Sequence, residues 1–355
     1  MILWLLGISL FFLPSLIVGL TLTCFHFHVL HKYVPILFEN CQTKPLFVIP
    51  RGTPWPGAED VTFTSNDGSP LRGCYVRTQA LGRRGVILFG LEYGSDRWSC
   101  RTYIEGLVLA GYDVFAFEPR GQGQSAPISG YEPLQWVAEY EVDDTRAAIA
   151  YLKARPDADP AGIGFFGISK GAGAGMVASV DDPYVRCFVT DGMFGFETTA
   201  KPFMRKWFSI YNTYYPLETV PDWYLIHVCR AAIERIEQAR NCRFVSVEKA
   251  VSQIGSRALL MIHGESDLYI KPSASKALYD RATGPRELWM VPGAKHNQAL
   301  HVAESEYRRR VLAFFDRYLA ELPDQAITAA AESCPTSASD AGRTEAVTSG
   351  LARTQ

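Results

Sequence analysis

Short apolar segments alternate along most of the chain with longer segments in which apolar residues recur at helical spacing. The short segments are apolar throughout, as is typical of strands that are buried on both faces of a sheet. They are GVILFG (85–90), YDVFAFEP (112–119), GIGFFG (162–167), VRCFVTDG (185–192), RALLMIHG (257–264) and ELWMVPG (287–293). The helical segments include 136–154, 271–282 and 304–319. This alternation predicts an α/β fold with a mostly parallel sheet and helices on both faces.

A different pattern precedes these segments in the chain and predicts the first strands of the sheet. The segment DVTFTSNDGSPLRGCYVRT (60–78) contains two strand-like runs on either side of Asn66-Asp67-Gly68. A turn with Asp-Gly between such runs is a strong hairpin signal. We therefore expect an antiparallel hairpin before the parallel strands, with the functional site outside the carboxyl ends of those strands.

The N-terminal segment Ile2–Phe27 is apolar, and the first charged side chain is Lys32. A helix of this length crosses a hydrocarbon layer of about 30 Å, so we predict a transmembrane anchor over residues 1–31 and a linker over 32–59. A cleaved signal peptide is the alternative, but such peptides have a basic start and a shorter apolar stretch. The basic residues that follow favour a single-pass protein whose globular part faces the cytoplasm.

The α/β pattern covers residues 60–192 and 246–322, which we predict to form the two parts of one α/β core. Between them, residues 193–245 are rich in aromatic side chains and show no strand pattern, which favours an inserted helical lid over ordinary helices packed on the core. The remaining residues, 323–355, contain almost no large apolar side chains, and we expect a disordered tail.

Composition excludes several classes of function. The 355 residues are 48% hydrophobic, and 35 basic side chains face 37 acidic ones, so no positive excess favours a nucleic acid partner. The eight cysteines lack the paired spacing of zinc or redox motifs, and neither an HExxH nor a GK[ST] motif occurs. The sequence therefore predicts no cofactor and no metal.

The pentapeptide GISKG (167–171) ends a predicted strand and opens a segment of small residues, AGAGMVAS. A serine on such a strand-to-helix turn exposes its hydroxyl, and the flanking glycines allow close backbone contacts. The amide of Lys170, at the helix N-terminus, would face a developing oxyanion. Ser169 is the predicted nucleophile, although the pentapeptide alone also fits an ordinary turn.

The surrounding motifs carry a family resemblance. Besides GISKG, the chain contains GYDVFAFEPRGQGQS (111–125), LLMIHGESD (259–267) and PGAKH (292–296). With these motifs the chain from about Val61 to Leu319 resembles the α/β-hydrolases, a group that includes lipases, esterases, thioesterases and prolyl peptidases. Members of this group place serine, acid and histidine in that order, and Ser169, Asp267 and His296 obey it.

The resemblance implies a role for each of the three. His296 would act as general base, which is worth about 10² to 10⁴ in rate, and Asp267 would orient the imidazole. Asp191, at the end of the preceding strand, is the alternative acid. His263 lies in an apolar strand and is expected to be a core residue, and His301 is expected on a helix surface.

The second oxyanion donor follows the third strand, where the family usually has His-Gly. This chain has Phe89-Gly90-Leu91-Glu92, a departure that leaves two candidates. By register the Leu91 amide is the predicted donor, and the Glu92 amide is the next candidate. Loss of such a donor typically costs about 10² to 10³ in rate.

The predicted function is that of a membrane-anchored serine hydrolase that cleaves an ester or related acyl bond through an acyl-enzyme on Ser169. The lid and the anchor favour a small-molecule or lipid-like acyl substrate. The same triad would serve an acyltransferase, a thioesterase or a serine peptidase. In a different class, the chain would be a catalytically silent hydrolase-fold binding protein, for which the departure from His-Gly is the main support.

Overall fold

An eight-stranded sheet forms the centre of the fold. The structure is a computed structural model that describes residues 2–42, 51–211 and 221–321. The strands, in chain order, are β1 (Glu59–Thr64), β2 (Pro70–Val76), β3 (Gly85–Gly90), β4 (Tyr112–Glu118), β5 (Ile163–Ile168), β6 (Val185–Asp191), β7 (Ala258–Gly264) and β8 (Arg286–Val291). Across the sheet their order is β1-β2-β4-β3-β5-β6-β7-β8.

Strand pairing confirms the predicted fold class. β2 is antiparallel to both β1 and β4, and every other neighbouring pair is parallel. Gly68 adopts a φ of +84° at the turn of the opening hairpin, a conformation that glycine accepts without strain. β8 departs from the expectation for its segment: it lies at the edge of the sheet and is partly exposed, because no further strand covers it.

Helices cover both faces of the sheet. They are α1 (Ile2–Gln42), α2 (Arg101–Leu109), α3 (Glu139–Ala154), α4 (Ser169–Ala178), α5 (Phe196–Tyr211), α6 (Asp222–Arg240), α7 (Val247–Gln253), α8 (Pro272–Tyr279), α9 (Ala299–Val302) and α10 (Glu304–Phe315). Successive strand residues alternate between two buried clusters: Val86 and Leu88 face α3, α4, α7 and α8, whereas Ile87 and Phe89 face α2 and α10. This alternation explains why the strands are apolar throughout.

A third buried cluster lies away from the sheet, between α1, the helices of the predicted lid and the loops near the site. Val29 and Val34 of α1 are buried in it together with Leu225 and Val228 of α6. The helix therefore continues well past Phe27, and residues 32–42 of the predicted linker are helical. Among the described residues, Phe12–Ile36 is the one stretch long and apolar enough to cross a membrane, with a mean hydropathy of 1.6.

The predicted lid, 193–245, contains α5 and α6 in its described part, and residues 212–220 between them lie outside it. The predicted disordered tail, 323–355, also lies outside the described residues, as do 43–50 of the predicted linker. The fold thus places two helices and the end of α1 next to the carboxyl ends of the parallel strands.

Candidate active site

Ser169 is the first residue of α4 and directly follows β5. The strand order reverses at β3, which has β4 on one side and β5 on the other, and ligands of open α/β sheets bind at such a switch point. The φ of Ser169 is +52°, a left-handed conformation that is strained for a residue with a side chain. The strain points the hydroxyl away from the regular path of strand and helix, as the sequence predicted for this turn.

Small residues around Ser169 are required by close packing. A Cβ on Gly167 would lie 2.5 Å from the Cα of Ala172, and one on Gly175 would lie 1.8 Å from the ring of Phe165. α4 therefore packs so tightly on β5 that larger residues would displace the turn. This explains the small residues after the predicted nucleophile.

Three predicted residues form one hydrogen-bonded chain. The Oγ atom of Ser169 lies 3.0 Å from Nε2 of His296, and Nδ1 of His296 lies 2.7 Å from Oδ2 of Asp267. Since a carboxylate only accepts, Nδ1 carries the proton and Nε2 is free to accept from the serine. The structure brings Ser169, His296 and Asp267 together in the geometry that a nucleophile, its base and an orienting acid require.

Asp267 is itself held from several sides. Its Oδ1 atom accepts hydrogen bonds of 2.8 Å from the amides of Tyr269 and Ile270. Nε2 of His263 lies 2.9 Å from the carbonyl oxygen of Ile270 and 3.3 Å from Oδ2 of Asp267. That carbonyl can only accept, so Nε2 is the protonated nitrogen of His263, and Nδ1 accepts from Oγ of Ser275 at 2.7 Å.

His263 is thus more than the core residue that its apolar strand predicted. It is fully buried, and burial lowers the pKa of its imidazole. The neutral ring supports the turn that carries Asp267. The strand pattern alone contains no signal for this role, because the partners of His263 lie beyond the strand. His301 is exposed on α9, as expected.

Asp191, the alternative acid, has a different partner. Its Oδ2 atom accepts a hydrogen bond of 3.0 Å from the hydroxyl of Tyr307, and Oδ1 has no hydrogen-bond partner within the described part of the chain. Burial raises the pKa of Asp191 to about 7. The structure therefore joins His296 to Asp267, and Asp191 lies beneath it as a buried carboxyl group.

The backbone after β3 contacts the first turn of α4. A Cβ on Gly90 would lie 2.8 Å from the carbonyl oxygen of Gly171, and one on Gly171 would lie 2.2 Å from the carbonyl oxygen of Leu91. This contact brings the Leu91 and Lys170 segments to the same end of the sheet as Ser169. Two amides near the nucleophile are what an oxyanion hole needs.

The side chain of Lys170 points into the protein. Its Nζ atom donates to Oε1 of Glu141 at 2.8 Å and to the carbonyl oxygen of Leu134 at 2.6 Å, and both charged groups are buried. Glu141 also accepts from the hydroxyl of Tyr131 and from the amide of Ala138. This buried ion pair fixes the first turn of α4 to α3. The sequence did not predict it.

Aromatic rings and the predicted lid cover the site. The ring of His296 lies 5.2 Å from that of Tyr269 and 6.4 Å from that of Phe194, between centroids. Phe194 belongs to the buried cluster that continues into α6 and α1. Ser169 itself is only 5% exposed.

In the part of the chain that the structure describes, no three His, Cys, Asp or Glu side chains lie close enough together to hold a metal ion.

Comparison with known proteins gives relatives with similar sequences. No family model matches the sequence. The chain is 25% identical over 268 residues to the uncharacterized protein YfhR of Escherichia coli K12, which covers 74% of this chain and 81% of YfhR. It is 30% identical over 134 residues to the thiohydrolase apmlB of Arthrinium phaeospermum, covering 37% of this chain and 42% of that protein.

Among solved structures, the esterase Pf2001 of Pyrococcus furiosus aligns with a TM-score of 0.57 and 23% identity, over 78% of this chain and all of the esterase. By fold, the chain is an α/β-hydrolase.

Proposed function

We propose that the protein is a serine hydrolase that cleaves an ester or related acyl bond through an acyl-enzyme on Ser169. The observation that carries this proposal is the continuous hydrogen-bonded chain from Oγ of Ser169 through His296 to Asp267. The strained φ of Ser169 adds to it, because backbone strain of this kind persists where the surrounding structure enforces it.

In the proposed reaction, Oγ of Ser169 attacks the acyl carbon while its proton passes to Nε2 of His296. The imidazolium, stabilised by Asp267, then gives that proton to the leaving oxygen as the bond to the acyl carbon breaks. Water attacks the resulting acyl-enzyme, His296 takes its proton, and the carboxylic acid leaves as Ser169 regains a proton. The amides of Lys170 and Leu91 would stabilise the oxyanion in both acylation and deacylation.

An apolar acyl group fits the surroundings of the site. A cavity of about 320 Å³ lies between α5, α6 and the start of α7, with Ala200, Leu225, Cys229 and Ile233 in its wall. Leu225 and Ile233 share a buried cluster with Phe194, whose ring contacts His296. None of the triad residues lines this cavity, and charged side chains such as Glu197 and Arg230 also border it. The apolar cluster that joins its wall to Phe194 supports a small-molecule or lipid-like acyl substrate.

We propose that α1 anchors the protein in a membrane as a single-pass helix. Its first half exposes large apolar side chains, among them Phe12, Leu16 and Leu20. In its second half, Val29 and Val34 are buried in one cluster with α6, and a signal peptide removed after targeting would leave that contact empty. A cytoplasmic globular part, inferred from the basic residues that follow the apolar segment Ile2–Phe27, belongs to the same proposal.

Labelling with a fluorophosphonate tests the hydrolase proposal. We expect the full-length protein in detergent to be labelled at Ser169, and Ser169→Ala and His296→Ala to lose the label. His301→Ala is the matched control, because this histidine is exposed on α9, and it should retain full labelling. An unlabelled wild type, or equal labelling of Ser169→Ala, would contradict the proposal and favour a silent hydrolase-fold binding protein.

Substrate profiling then separates the remaining alternatives. The likeness to a thiohydrolase favours a thioester as the second candidate bond. We expect hydrolysis of p-nitrophenyl esters to increase from acetyl to longer acyl chains, and thioesters of the same chains show whether sulfur is preferred as leaving atom. Cleavage restricted to short polar acyl groups would count against the apolar pocket. Added alcohols, thiols or amines reveal acyl transfer, and peptide substrates reveal peptidase activity.

A further inference from the structure

Glu92 lies where the loop after β3 departs from the family pattern, and its side chain has a specific partner. Its Oε2 atom accepts a hydrogen bond of 2.7 Å from Nδ2 of Asn297, 205 residues away. Glu92 is only 5% exposed, and burial raises the pKa of its carboxyl group. The bond links the loop that carries Leu91 to the loop that carries His296.

Asn297 directly follows His296 and has an unusual backbone. Its φ is +54°, in the left-handed region, where asparagine is found more often than most residues but still at some cost. A strained backbone needs partners that hold it. Because His296 and Asn297 share a peptide bond, whatever fixes the Asn297 side chain also restricts the position of the imidazole.

The other side of Asn297 rests on Gly192, which follows β6. A Cβ on Gly192 would lie 2.7 Å from Oδ1 of Asn297 and 3.2 Å from Cε1 of His296. Gly192 itself has a φ of +66°, so a side chain there would be strained as well as crowded. Asn297 is thus confined between the carboxylate of Glu92 and the backbone of Gly192.

We propose that Glu92 is a positioning residue for the hydrolase reaction: it binds the Asn297 amide and thereby holds His296 against Ser169. This inference rests on the proposed function, since it concerns the same triad. Through this bond, the loop after β3 helps to hold the loop that carries His296. Its loss would let the imidazole move away from Oγ, and a displacement of about 1 Å can cost 10²-fold in rate.

The test compares variants of the full-length protein in detergent, with p-nitrophenyl butyrate as substrate. Glu92→Ala removes the acceptor, and we expect kcat to fall about 10- to 100-fold with KM within about twofold of wild type. Glu92→Gln keeps an oxygen that accepts from Asn297, and we expect it to retain kcat within about threefold. Asn297→Gly removes the donor, suits the left-handed backbone, and should lose as much as Glu92→Ala.

The double variant Glu92→Ala/Asn297→Gly should be no slower than either single variant, because one shared bond is lost only once. Asp113→Asn is the control for loss of a buried carboxylate, since Asp113 accepts from the hydroxyl of Tyr75 and the amide of Thr78 at the amino end of β4, and not from the loop after β3. It should leave kcat unchanged even if it lowers the melting temperature. If Glu92→Ala fails to fold, the kcat values of Asn297→Gly and Glu92→Gln test the inference instead.

Three results would overturn the inference while the proposed function stands: an active wild type with Glu92→Ala and Asn297→Gly folded and within about threefold of its kcat, fully additive losses in the double variant, or a Glu92→Gln variant as slow as Glu92→Ala. An inactive, unlabelled wild type would instead contradict the proposed function itself.

Discussion

Nδ1 of His296 lies 2.7 Å from Oδ2 of Asp267, although 29 residues separate the two in the chain. Oδ1 of the same carboxylate accepts hydrogen bonds from the amides of Tyr269 and Ile270, so both carboxylate oxygens have hydrogen-bond partners. An acid held in this way orients the imidazole without moving itself, and stabilises the charge that the ring acquires.

The choice between the two candidate acids leads to the first prediction. Asp267→Asn should reduce kcat by about 10² to 10⁴, because the asparagine amide favours the wrong tautomer of His296. Asp191→Asn should change kcat by less than about threefold, since Asp191 bonds to Tyr307 and not to His296. Ester hydrolysis at pH 8 measures both, and equal losses would show that the acids share the role.

Asp191 also leads to a prediction on stability. Its pKa is about 7 in the folded protein, whereas an aspartate in an unfolded chain has a pKa of about 3.9. The buried charge therefore destabilises the fold fully above pH 7, and the penalty disappears as pH falls towards 4. Asp191→Asn should stabilise the protein by about 2 to 4 kcal/mol more at pH 8.5 than at pH 4.5.

Thermal melting of the detergent-solubilised protein at the two pH values checks this. The melting temperature of Asp191→Asn, relative to wild type, should rise with pH. A difference that stays constant between pH 4.5 and 8.5 would mean that the folded carboxyl group titrates in its ordinary range.

The third prediction concerns His263, which supports the turn of Asp267. His263→Phe fills a similar volume but cannot donate to the Ile270 carbonyl, which is left buried without that partner at a cost of about 1 to 3 kcal/mol. We expect kcat to fall about tenfold and the melting temperature to fall. His263→Gln places an N–H donor near the same point and should recover most of kcat. If both variants match wild type in rate, the imidazole is only a core side chain.

The fourth prediction concerns the buried pair of Lys170 and Glu141. Lys170→Met leaves the carboxylate buried and unpaired, which typically costs about 3 to 5 kcal/mol. For a domain of this size the melting temperature should fall by roughly 5 to 15 °C. The proposed oxyanion donor is the backbone amide of residue 170 and not its side chain, so the remaining folded protein should still be labelled by a fluorophosphonate.

The double variant Lys170→Met/Glu141→Gln is the matched control, because it removes both charges. It should melt well above the single variant. If Lys170→Met melts at the wild-type temperature, the carboxylate is solvated or protonated and the pair does not stabilise the turn.

Much of the fold could be predicted from the sequence, because it depends on local patterns. Runs such as GVILFG are apolar at every position because β3 is covered on both faces, and the run coincides with the strand. Asn66-Asp67-Gly68 predicted the hairpin because only a few residue types accept its turn. The glycines that flank Ser169 likewise indicated close backbone contacts, and Gly167 and Gly171 make such contacts.

Contacts between distant segments required the tertiary structure. Asp191 and Asp267 both follow strands, and their local sequences do not distinguish them. Only the placement of the loops after β6, β7 and β8 decides which carboxylate reaches His296. The bonds of Glu92 to Asn297 and of Lys170 to Glu141, and the packing of α1 on α6, are of the same kind. Periodicity reports which face of an element is buried, whereas the partner across that face depends on how all the elements assemble.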